Sequence, residues 1–221
     1  MRAEEAPLPE GLPRSVEVAL ALGGLLAASP LLAASVAAIR LTSPGAALFH
    51  QPRVGRGGSE FTFYKLRTMT VRKTAGALVT AAGDRRVTAV GRVLRKLKID
   101  EIPGLWCVVR GDLALVGARP EVPRYVDLDD PLWARILQAR PGLTDPTTIY
   151  LRNEEELMAA AGGDVEQVYR SVLLPYKLKS WLRYLERRDA LSDLRVLAQT
   201  VHAALRPDRY PPPTLDALLS A

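Results

Sequence analysis

A long uncharged segment near the N-terminus constrains the fold of this chain more than any other feature. From Val18 to Ile39 the sequence reads VALALGGLLAASPLLAASVAAI, without a single charged side chain. As a helix, this segment is long enough to cross the roughly 30 Å hydrocarbon core of a bilayer. We therefore predict a membrane-associated protein, in which residues 1–14, with their three prolines, form a loose leader.

Three interpretations of the apolar segment compete. A secretory signal needs a basic start, whereas the residues that precede this segment are more acidic than basic. They include Glu4, Glu5, Glu10 and Glu17 against Arg2 and Arg14. A straight transmembrane helix is opposed by Pro30, which removes a backbone donor in its middle. In a helix bent within one leaflet, the Ser29 hydroxyl can satisfy a carbonyl freed at the kink. The residues alone leave the straight and bent forms open.

The composition of the chain limits the kinds of binding site and partner that the protein can have. The formal charge of +6 and the isoelectric point near 9.7 indicate an anionic partner: nucleic acid, acidic lipid headgroups or a phosphorylated substrate. Aromatic residues make up only 6% of the chain and do not alternate with the basic segments, so we predict no nucleic-acid partner. The single cysteine, Cys107, excludes an internal disulfide and, with only two histidines, the usual zinc spacings.

Two segments after residue 50 carry much of the basic charge. RVGRGGSEFTFYKLRTM predicts two short strands around a glycine turn, with Lys65 and Arg67 at the end of the second. DRRVTAVGRVLRKLK predicts a helix with one apolar and one strongly basic face. The predicted apolar face comprises Val90, Val93, Leu94 and Leu97. Its basic face is typical of a solvated surface and equally suits lipid headgroups.

Asp100 and Glu101 directly follow this basic helix. Pro103 favours the first turn of a new helix that runs through Trp106 toward Gly111. Adjacent residues in mid-helix point about 100° apart, whereas at a helix start both can face one site. The free backbone N–H groups of a helix start also favour phosphate. Salt bridges to the preceding basic helix are the alternative interpretation.

The C-terminal third is predicted to be helical. Residues 175–205 indicate one long helix or a pair of helices. Their predicted buried stripe comprises Leu178, Leu182, Leu185, Leu191, Leu194, Leu197 and Val201. Seven basic and aromatic side chains suit either a membrane surface or, for most of them, plain packing on the core. They are Lys177, Lys179, Trp181, Arg183, Tyr184, Arg187 and Arg188. The proline-rich tail, residues 206–221, is predicted to project.

Four segments in this order resemble the bacterial sugar transferases, the monotopic phosphoglycosyl transferases that begin cell-envelope glycan assembly. They are the apolar segment with Ser29 and Pro30, SPGAALFHQPRVGRGGSEFTFYKLRTM, DRRVTAVGRVLRKLKIDEIPGLWCVVRGDLALVGARPE, and RPGLTD. The similarity runs from about Arg14 to about Thr200. It implies an α/β fold, mostly helical. A small catalytic domain, residues 41–205, would be anchored by a re-entrant helix, residues 15–40, and by interfacial amphipathic helices.

The resemblance also implies an activity and a location. Family members transfer a sugar phosphate from a UDP-sugar to polyprenyl (undecaprenyl) phosphate with Mg²⁺, releasing UMP and forming a polyprenyl-diphosphate-linked sugar. Such products feed exopolysaccharide or lipopolysaccharide synthesis in the bacterial cell envelope. We therefore expect a phospholipid membrane as a partner: the bacterial inner (cytoplasmic) membrane, with the catalytic domain on its cytoplasmic face. Which sugar is used, which pathway is fed and whether the protein forms a homodimer do not follow from the sequence.

Family roles fall on individual residues of this chain. The resemblance implies that Asp100 is a nucleophile forming an aspartyl-phosphosugar intermediate. It implies that Glu101 binds Mg²⁺ together with Asp100 or activates the acceptor. Phosphate-binding roles fall on Lys65, Arg67, Arg95 and Arg119. Asp112 matches a supporting acid, although a simple turn residue after Gly111 is an equally good interpretation.

Three positions depart from the family pattern, which usually has Gln at Gly104, Asn at Cys107 and Pro at Ala118. Because the acidic pair and the basic residues are retained, catalysis is expected to persist, while the departures leave substrate preference and rate open. A non-catalytic scaffold protein at the membrane surface is the alternative from a different class of function. A membrane-tethered nucleic-acid binder is a third, and its affinity would fall steeply with salt.

Overall fold

A computed structural model describes residues 6–70, 82–161, 163–211, 213–214 and 217–218. The helices are α1 (Arg14–Thr42), α2 (Ala89–Lys96), α3 (Leu105–Arg110), α4 (Pro131–Ile136), α5 (Pro146–Tyr150), α6 (Glu154–Ala161), α7 (Val165–Val168), α8 (Leu174–Leu185) and α9 (Ala190–Leu205). The strands are β1 (Leu48–Val54), β2 (Glu60–Leu66), β3 (Ala114–Val116) and β4 (Gly142–Thr144). Short 3-10 turns cover Arg56–Gly58, Ile99–Gly104, Pro123–Tyr125 and Pro207–Arg209, and a π-helical turn covers Tyr169–Leu173. This architecture confirms the prediction of a mostly helical α/β fold.

The apolar segment forms one helix, α1, which contains Pro30. Because proline has no N–H, the carbonyl of Leu26, four residues earlier, loses its usual helical partner. The Ser29 hydroxyl donates to that carbonyl at 2.8 Å. This is the hydrogen bond expected for Ser29, and its role at a kink in the membrane stays a prediction. The bent, re-entrant form of the helix in a membrane stays a prediction.

Both ends of α1 pack on the rest of the protein, and its middle does not. Near the start, the backbone N–H of Leu115 in β3 donates to Glu17 Oε1 at 2.9 Å. Near the end, Ile39 packs in an apolar cluster with Leu66 and Leu94. Between these anchors Leu26 is 77% exposed. In the part of the chain that the structure describes, α1 alone is long and apolar enough to cross a membrane.

The N-terminal segment predicted to be a loose leader is held in place where the structure describes it, from residue 6 onward. The Leu12 N–H donates to Asp193 Oδ2 at 2.8 Å, and Arg188 Nε donates to the Pro9 carbonyl at 2.9 Å. Leu8 packs against the largest core cluster. The prediction overlooked that a segment rich in proline loses little chain entropy on docking.

Two small sheets position Lys65 and Arg119, two of the residues predicted to bind phosphate. β1 and β2 form an antiparallel hairpin, as predicted for this segment. In this hairpin Arg53 lies opposite Phe61, and Phe49 lies opposite Lys65. Directly opposite residues share a face of an antiparallel pair. Arg53 and Lys65 therefore lie on one face of the hairpin. β3 and β4 pair in parallel and bring the GARPE segment next to RPGLTD.

The predicted helix pair of the C-terminal third is confirmed as α8 and α9, but part of its predicted burial is wrong. In α8, Leu178 and Leu185 are buried as expected, and so are Lys177 and Trp181, which excludes these two from a membrane surface. In α9, three predicted core residues are 46–60% exposed, and they are Leu191, Leu194 and Val201.

The rotation of α9 about its axis is set by a polar contact rather than by its leucines. Asp193 is 1% exposed because it accepts hydrogen bonds from the Tyr184 hydroxyl and the Leu12 N–H. Buried carboxylates are costly without such partners. Turning Asp193 inward brings Val196 and Ala203 into the core and moves the leucine stripe outward.

The tail that was predicted to project packs on the domain at the positions the structure describes. Leu218 is 5% exposed and belongs to the largest core cluster. The Tyr210 hydroxyl lies 3.0 Å from His202 Nδ1 and its ring packs edge-on to that histidine. Burial of these apolar and aromatic groups outweighs the extended tendency of the prolines.

Candidate active site

The acidic pair lies in a tight turn between α2 and α3. Lys98 adopts a left-handed conformation with φ of 56°, unique among the described non-glycine residues. Such conformations are uncommon and concentrate at functional sites. The chain then enters the 3-10 turn Ile99–Gly104, which holds Asp100, Glu101 and Pro103. The predicted α-helix begins only after this turn, at Leu105, and ends at Gly111 as expected.

Glu101 joins two of the predicted phosphate-binding residues. Its Oε1 accepts from Lys65 Nζ at 2.8 Å and from Arg119 Nη2 at 2.5 Å. Burial alone raises the pKa of this carboxyl, but the adjacent Arg119 and Lys65 outweigh it and hold the pKa well below its usual range. Glu101 is therefore ionised at neutral pH, and one oxygen of its carboxylate pairs with both Lys65 and Arg119.

Asp100 lies beside this cluster in a different environment. Its side chain is buried, with the residue only 6% exposed. Its Oδ1 has no hydrogen-bond partner among the described residues. Burial, and next the negative charge of Glu101, raise the pKa of Asp100. A buried oxygen without a donor is costly, so this atom is suited to bind a cation or to attack an electrophile.

The remaining basic groups differ in how they are held. Burial lowers the pKa of Lys65, while Glu101 counteracts that effect. Glu101 raises the pKa of Arg119 despite burial, so Arg119 stays charged. Arg119 also donates to the Leu143 carbonyl at 3.3 Å. Arg95, at the end of α2, forms an ion pair with Glu155 of α6 at 2.9 Å.

Two other predicted residues make contacts elsewhere. The Arg67 guanidinium donates to the backbone carbonyls of Pro44 and of Ser43, the latter at 2.9 Å, and so holds the turn that follows α1. Asp112 pairs with Arg110 Nε at 3.1 Å in the turn after Gly111. A phosphate role for Arg67 and a supporting role for Asp112 stay predictions, and these contacts describe structural duties.

Sequence reasoning missed three charged residues behind the site: the buried Glu121 and Asp145 and the partly buried Arg53. Glu121 and Asp145 stand in the quoted segments GARPE and RPGLTD, so proximity to a motif was an available signal. Asp145 is fully buried, accepts from Trp181 Nε1 at 3.1 Å and caps α5. Arg53 carried no such signal, because an arginine in a short strand is ordinarily exposed.

The donor set of the acidic pair suits magnesium. Asp100 Oδ1 is a buried carboxylate oxygen without a donor, and Glu101 is ionised beside it. Magnesium prefers hard oxygen ligands and binds through one or two carboxylates plus substrate phosphates. The described residues form no group of three or more histidine, cysteine or acidic side chains that could hold a metal alone. A magnesium ion here would need substrate oxygens to complete its shell.

The departures from the family pattern lie in packed positions. A Cβ on Gly104 would come within 2.8 Å of Leu143 Cδ1 and Phe63 Cε2. Cys107 is fully buried, with Sγ 3.5 Å from the Thr62 carbonyl, and Ala118 is 4% exposed. Small side chains at these positions allow the hairpin and the Asp100 turn to pack closely together.

Comparison with known proteins finds a matching family model and several relatives. The family model described as bacterial sugar transferase matches residues 9–207. A UDP-glucose:undecaprenyl-phosphate glucose-1-phosphate transferase of Caulobacter vibrioides is 39% identical over 184 residues, covering 81% of this chain and 64% of that protein. A UDP-N-acetylgalactosamine-undecaprenyl-phosphate N-acetylgalactosaminephosphotransferase of Aeromonas hydrophila is 38% identical, covering 63% of this chain and 34% of that protein.

A third relative is of similar length. The exopolysaccharide production protein ExoY of Sinorhizobium fredii is 32% identical over 184 residues, covering 73% of this chain and 78% of that protein. The chain thus spans about two thirds or less of the first two relatives and most of the third. The residues that the family model matches, 9–207, include the apolar helix, the hairpin and the acidic pair.

Proposed function

Because the chain belongs to the bacterial sugar transferase family, we propose that it transfers a sugar phosphate from a UDP-sugar to undecaprenyl phosphate, releasing UMP. The product is a polyprenyl-diphosphate-linked sugar. The observation that carries the proposal is the buried, donor-free Asp100 carboxylate oxygen next to an ionised Glu101 that gathers Lys65 and Arg119. The names of the relatives support the choice of donor and acceptor class.

The reaction proceeds in two displacements at phosphorus. In the first, an Asp100 carboxylate oxygen attacks the phosphorus that bears the sugar, the bond between the two phosphates breaks, and UMP leaves with the bond electrons. In the second, a phosphate oxygen of undecaprenyl phosphate attacks the same phosphorus and regenerates the Asp100 carboxylate. Once Asp100 has lost its proton, its carboxylate is an anion that can attack directly. The first step therefore needs no separate general base.

The basic residues make this approach of anions possible. A carboxylate meets a diphosphate only where cations offset the crowded negative charge. Lys65 and Arg119 lie together at Glu101 and can pass from that carboxylate to phosphate oxygens when the donor binds. Arg119 offers a planar fork suited to two phosphate oxygens. Arg95 would exchange its pair with Glu155 for a phosphate.

Magnesium, held by Asp100 or Glu101 together with substrate oxygens, would supply further neutralisation of the leaving diphosphate charge. Glu101 keeps its ionised state through Arg119 and Lys65, so it is ready to take up a cation without first losing a proton.

The surface around α1 and α2 supports a position at a membrane. Both ends of α1 contact one domain, which is the arrangement that a helix entering and leaving the same leaflet needs. The exposed apolar residues Val93, in α2, and Leu97, directly after it, alternate with exposed basic Arg92 and Lys96. Apolar and basic residues combined in this way suit anionic headgroups. We place the catalytic domain on the cytoplasmic face of the bacterial inner membrane, where Lys and Arg are retained.

The first test is UMP release from a panel of UDP-sugars by detergent-extracted protein with magnesium and undecaprenyl phosphate. The wild type should release UMP with one or two sugars, and Asp100→Asn should lose at least about a thousandfold of that rate, as expected for loss of a covalent nucleophile. Exposed Glu10→Gln serves as the matched control and should retain the rate. If folded wild type releases no UMP from any sugar, the transferase proposal fails and the scaffold alternative is favoured.

A further inference from the structure

A second charged network lies directly behind Arg119, on the face of the hairpin that carries Lys65. Arg53 in β1 is largely buried, with its side chain 15% exposed. Its Nη1 donates to the Pro120 carbonyl at 2.8 Å, and its Nη2 donates to Gln51 Oε1 at 3.0 Å. The Val54 N–H donates to the Glu121 carbonyl at 2.9 Å. The hairpin thus holds the two residues that follow Arg119 by side chain and by backbone.

Glu121 holds the same segment from the other side. Its carboxylate is 7% exposed and accepts a hydrogen bond from the Tyr169 hydroxyl through Oε1. Its Oε2 lies 3.6 Å from Arg53 Nη1, and Lys177 Nζ lies 3.8 Å from Oε1. Lys177 in turn pairs with Glu154 at 2.8 Å. The network therefore runs from β1, through the segment after Arg119, to α8.

The location of Tyr169 adds an independent observation. It lies in the π-helical turn Tyr169–Leu173, and its ring packs against Tyr125 with the ring centroids 4.9 Å apart and the planes tilted by 45°. Single π-helical turns are rare and are frequently found at functional sites. Here the turn aims the Tyr169 hydroxyl at Glu121.

Such a network is not explained by stability alone. Buried ion pairs are often no better for stability than apolar groups of the same volume, because desolvation offsets the attraction. The specific effect of this network is to hold the Pro120–Glu121 segment in place from two sides, the hairpin and Tyr169. The Arg119 side chain extends from that backbone to Glu101.

We propose that Arg53 and Glu121 are positioning residues, which set the Arg119 guanidinium at Glu101 so that it can bind the diphosphate of the donor. The inference rests on the proposed function for its substrate. Misplacement of a binding group by about 1 Å is enough to weaken binding and reaction strongly. Arg53 touches no reacting atom in this scheme and acts through Arg119.

The test is a double-mutant cycle read out as KM and kcat for the UDP-sugar. Arg53→Met should raise KM about tenfold, the effect of losing one charge-assisted hydrogen bond. The same change in an Arg119→Met background should alter KM less than about twofold, because the residue it positions is gone. Arg56→Met is the matched control. Arg56 lies in the turn of the same hairpin and donates to the Gln138 carbonyl, so this variant should keep the wild-type KM.

Tyr169→Phe provides a milder variant in case Arg53→Met folds poorly, since it removes one hydroxyl and keeps the ring. It should raise KM about threefold to tenfold with kcat changed less. Independent, multiplicative effects of Arg53→Met and Arg119→Met would overturn the proposal and leave the transferase function intact.

A second readout does not depend on turnover. In a crystal structure of Arg53→Met or Tyr169→Phe, the contact between Arg119 Nη2 and Glu101 Oε1 should be lost or lengthened beyond hydrogen-bond distance. Arg119 staying at Glu101 in both variants would overturn the positioning role, even for a protein that releases no UMP.

Discussion

Asp100 and Glu101 are neighbours in the chain, yet their surroundings shift the two carboxyl pKa values in opposite directions. Burial and the charge of Glu101 raise the pKa of Asp100, whereas Arg119 and Lys65 outweigh burial and lower the pKa of Glu101. Ionised Asp100 therefore destabilises the ligand-free protein, whereas ionised Glu101 stabilises the protein. This contrast supports our proposal that Asp100 is the reactive group and Glu101 its supporting partner.

The contrast predicts opposite effects of neutralising the two acids. Asp100 has a folded-state pKa above its unfolded value, so its ionisation destabilises the fold above that pKa and the penalty is relieved as pH falls through it. We expect Asp100→Asn to raise the melting temperature at pH 7 by about 2–4 °C while abolishing activity. The gain should shrink as pH falls, which thermal melts from pH 7.5 to 4 would show.

Glu101→Gln is the counterpart of that variant. The folded-state pKa of Glu101 lies below its unfolded value, so its contribution is present above the unfolded pKa and is lost as pH falls through the folded one. At pH 7 Glu101→Gln should lower the melting temperature, because Lys65 and Arg119 lose their counter-ion. Equal losses of stability in both variants would contradict the assigned environments.

Helix α1 is the element whose disposition decides how the protein meets the membrane. Its start is tied to β3 through Glu17, and its end packs on β2 and α2 through Ile39. A helix crossing the bilayer would place those two anchors on opposite sides. The contacts support our proposal that both ends of α1 lie on one side of the membrane.

This arrangement predicts one-sided labelling. Ser15→Cys and Thr42→Cys both occupy exposed positions near the two ends of α1, and the native Cys107 is buried. In sealed inner-membrane vesicles, a membrane-impermeant maleimide should reach both cysteines from the same side. Reaction of the two positions from opposite sides would establish a straight transmembrane helix.

At the scale of the whole molecule, one buried acid couples α1 to the rest of the protein. Glu17 is 3% exposed and lies 3.3 Å from Arg14 and 3.5 Å from Arg140, besides accepting from Leu115. Removing one partner from a buried charged cluster leaves the others uncompensated. The start of α1, β3 and the segment before β4 thus depend on a single carboxylate.

We predict that Glu17→Ala lowers the free energy of unfolding by about 3 kcal/mol, in the range for breaking a buried ion pair. Denaturant titration in detergent micelles, followed by tryptophan fluorescence, would measure the loss. Glu10→Ala, at an exposed position near the same end of the chain, should change stability by less than about 0.5 kcal/mol. Similar losses in both variants would show that Glu17 is not a special anchor.

Local pattern was informative wherever neighbouring residues alone decide structure. The uncharged segment predicted α1, the alternation around the glycine turn predicted the hairpin, and Pro103 with Gly111 bounded the helix after the acidic pair. Pattern failed where a distant polar partner decides. Asp193 turns α9 so that Leu191 and Leu194 face outward, because its partners Tyr184 and Leu12 lie in other segments.

By itself, the sequence determined the apolar helix with its proline, the hairpin, the C-terminal helices, the adjacent acids and the family, since these depend on residue types and short spacings. Only the tertiary structure decided which charges meet. It placed Lys65 and Arg119 on one oxygen of Glu101, left an oxygen of Asp100 without a donor, and put Arg53 and Glu121 behind them. The residues of these contacts are 18 to 68 positions apart, and only the packing of the hairpin, the turn and the segment after β3 brings their charged groups within 3.6 Å of one another.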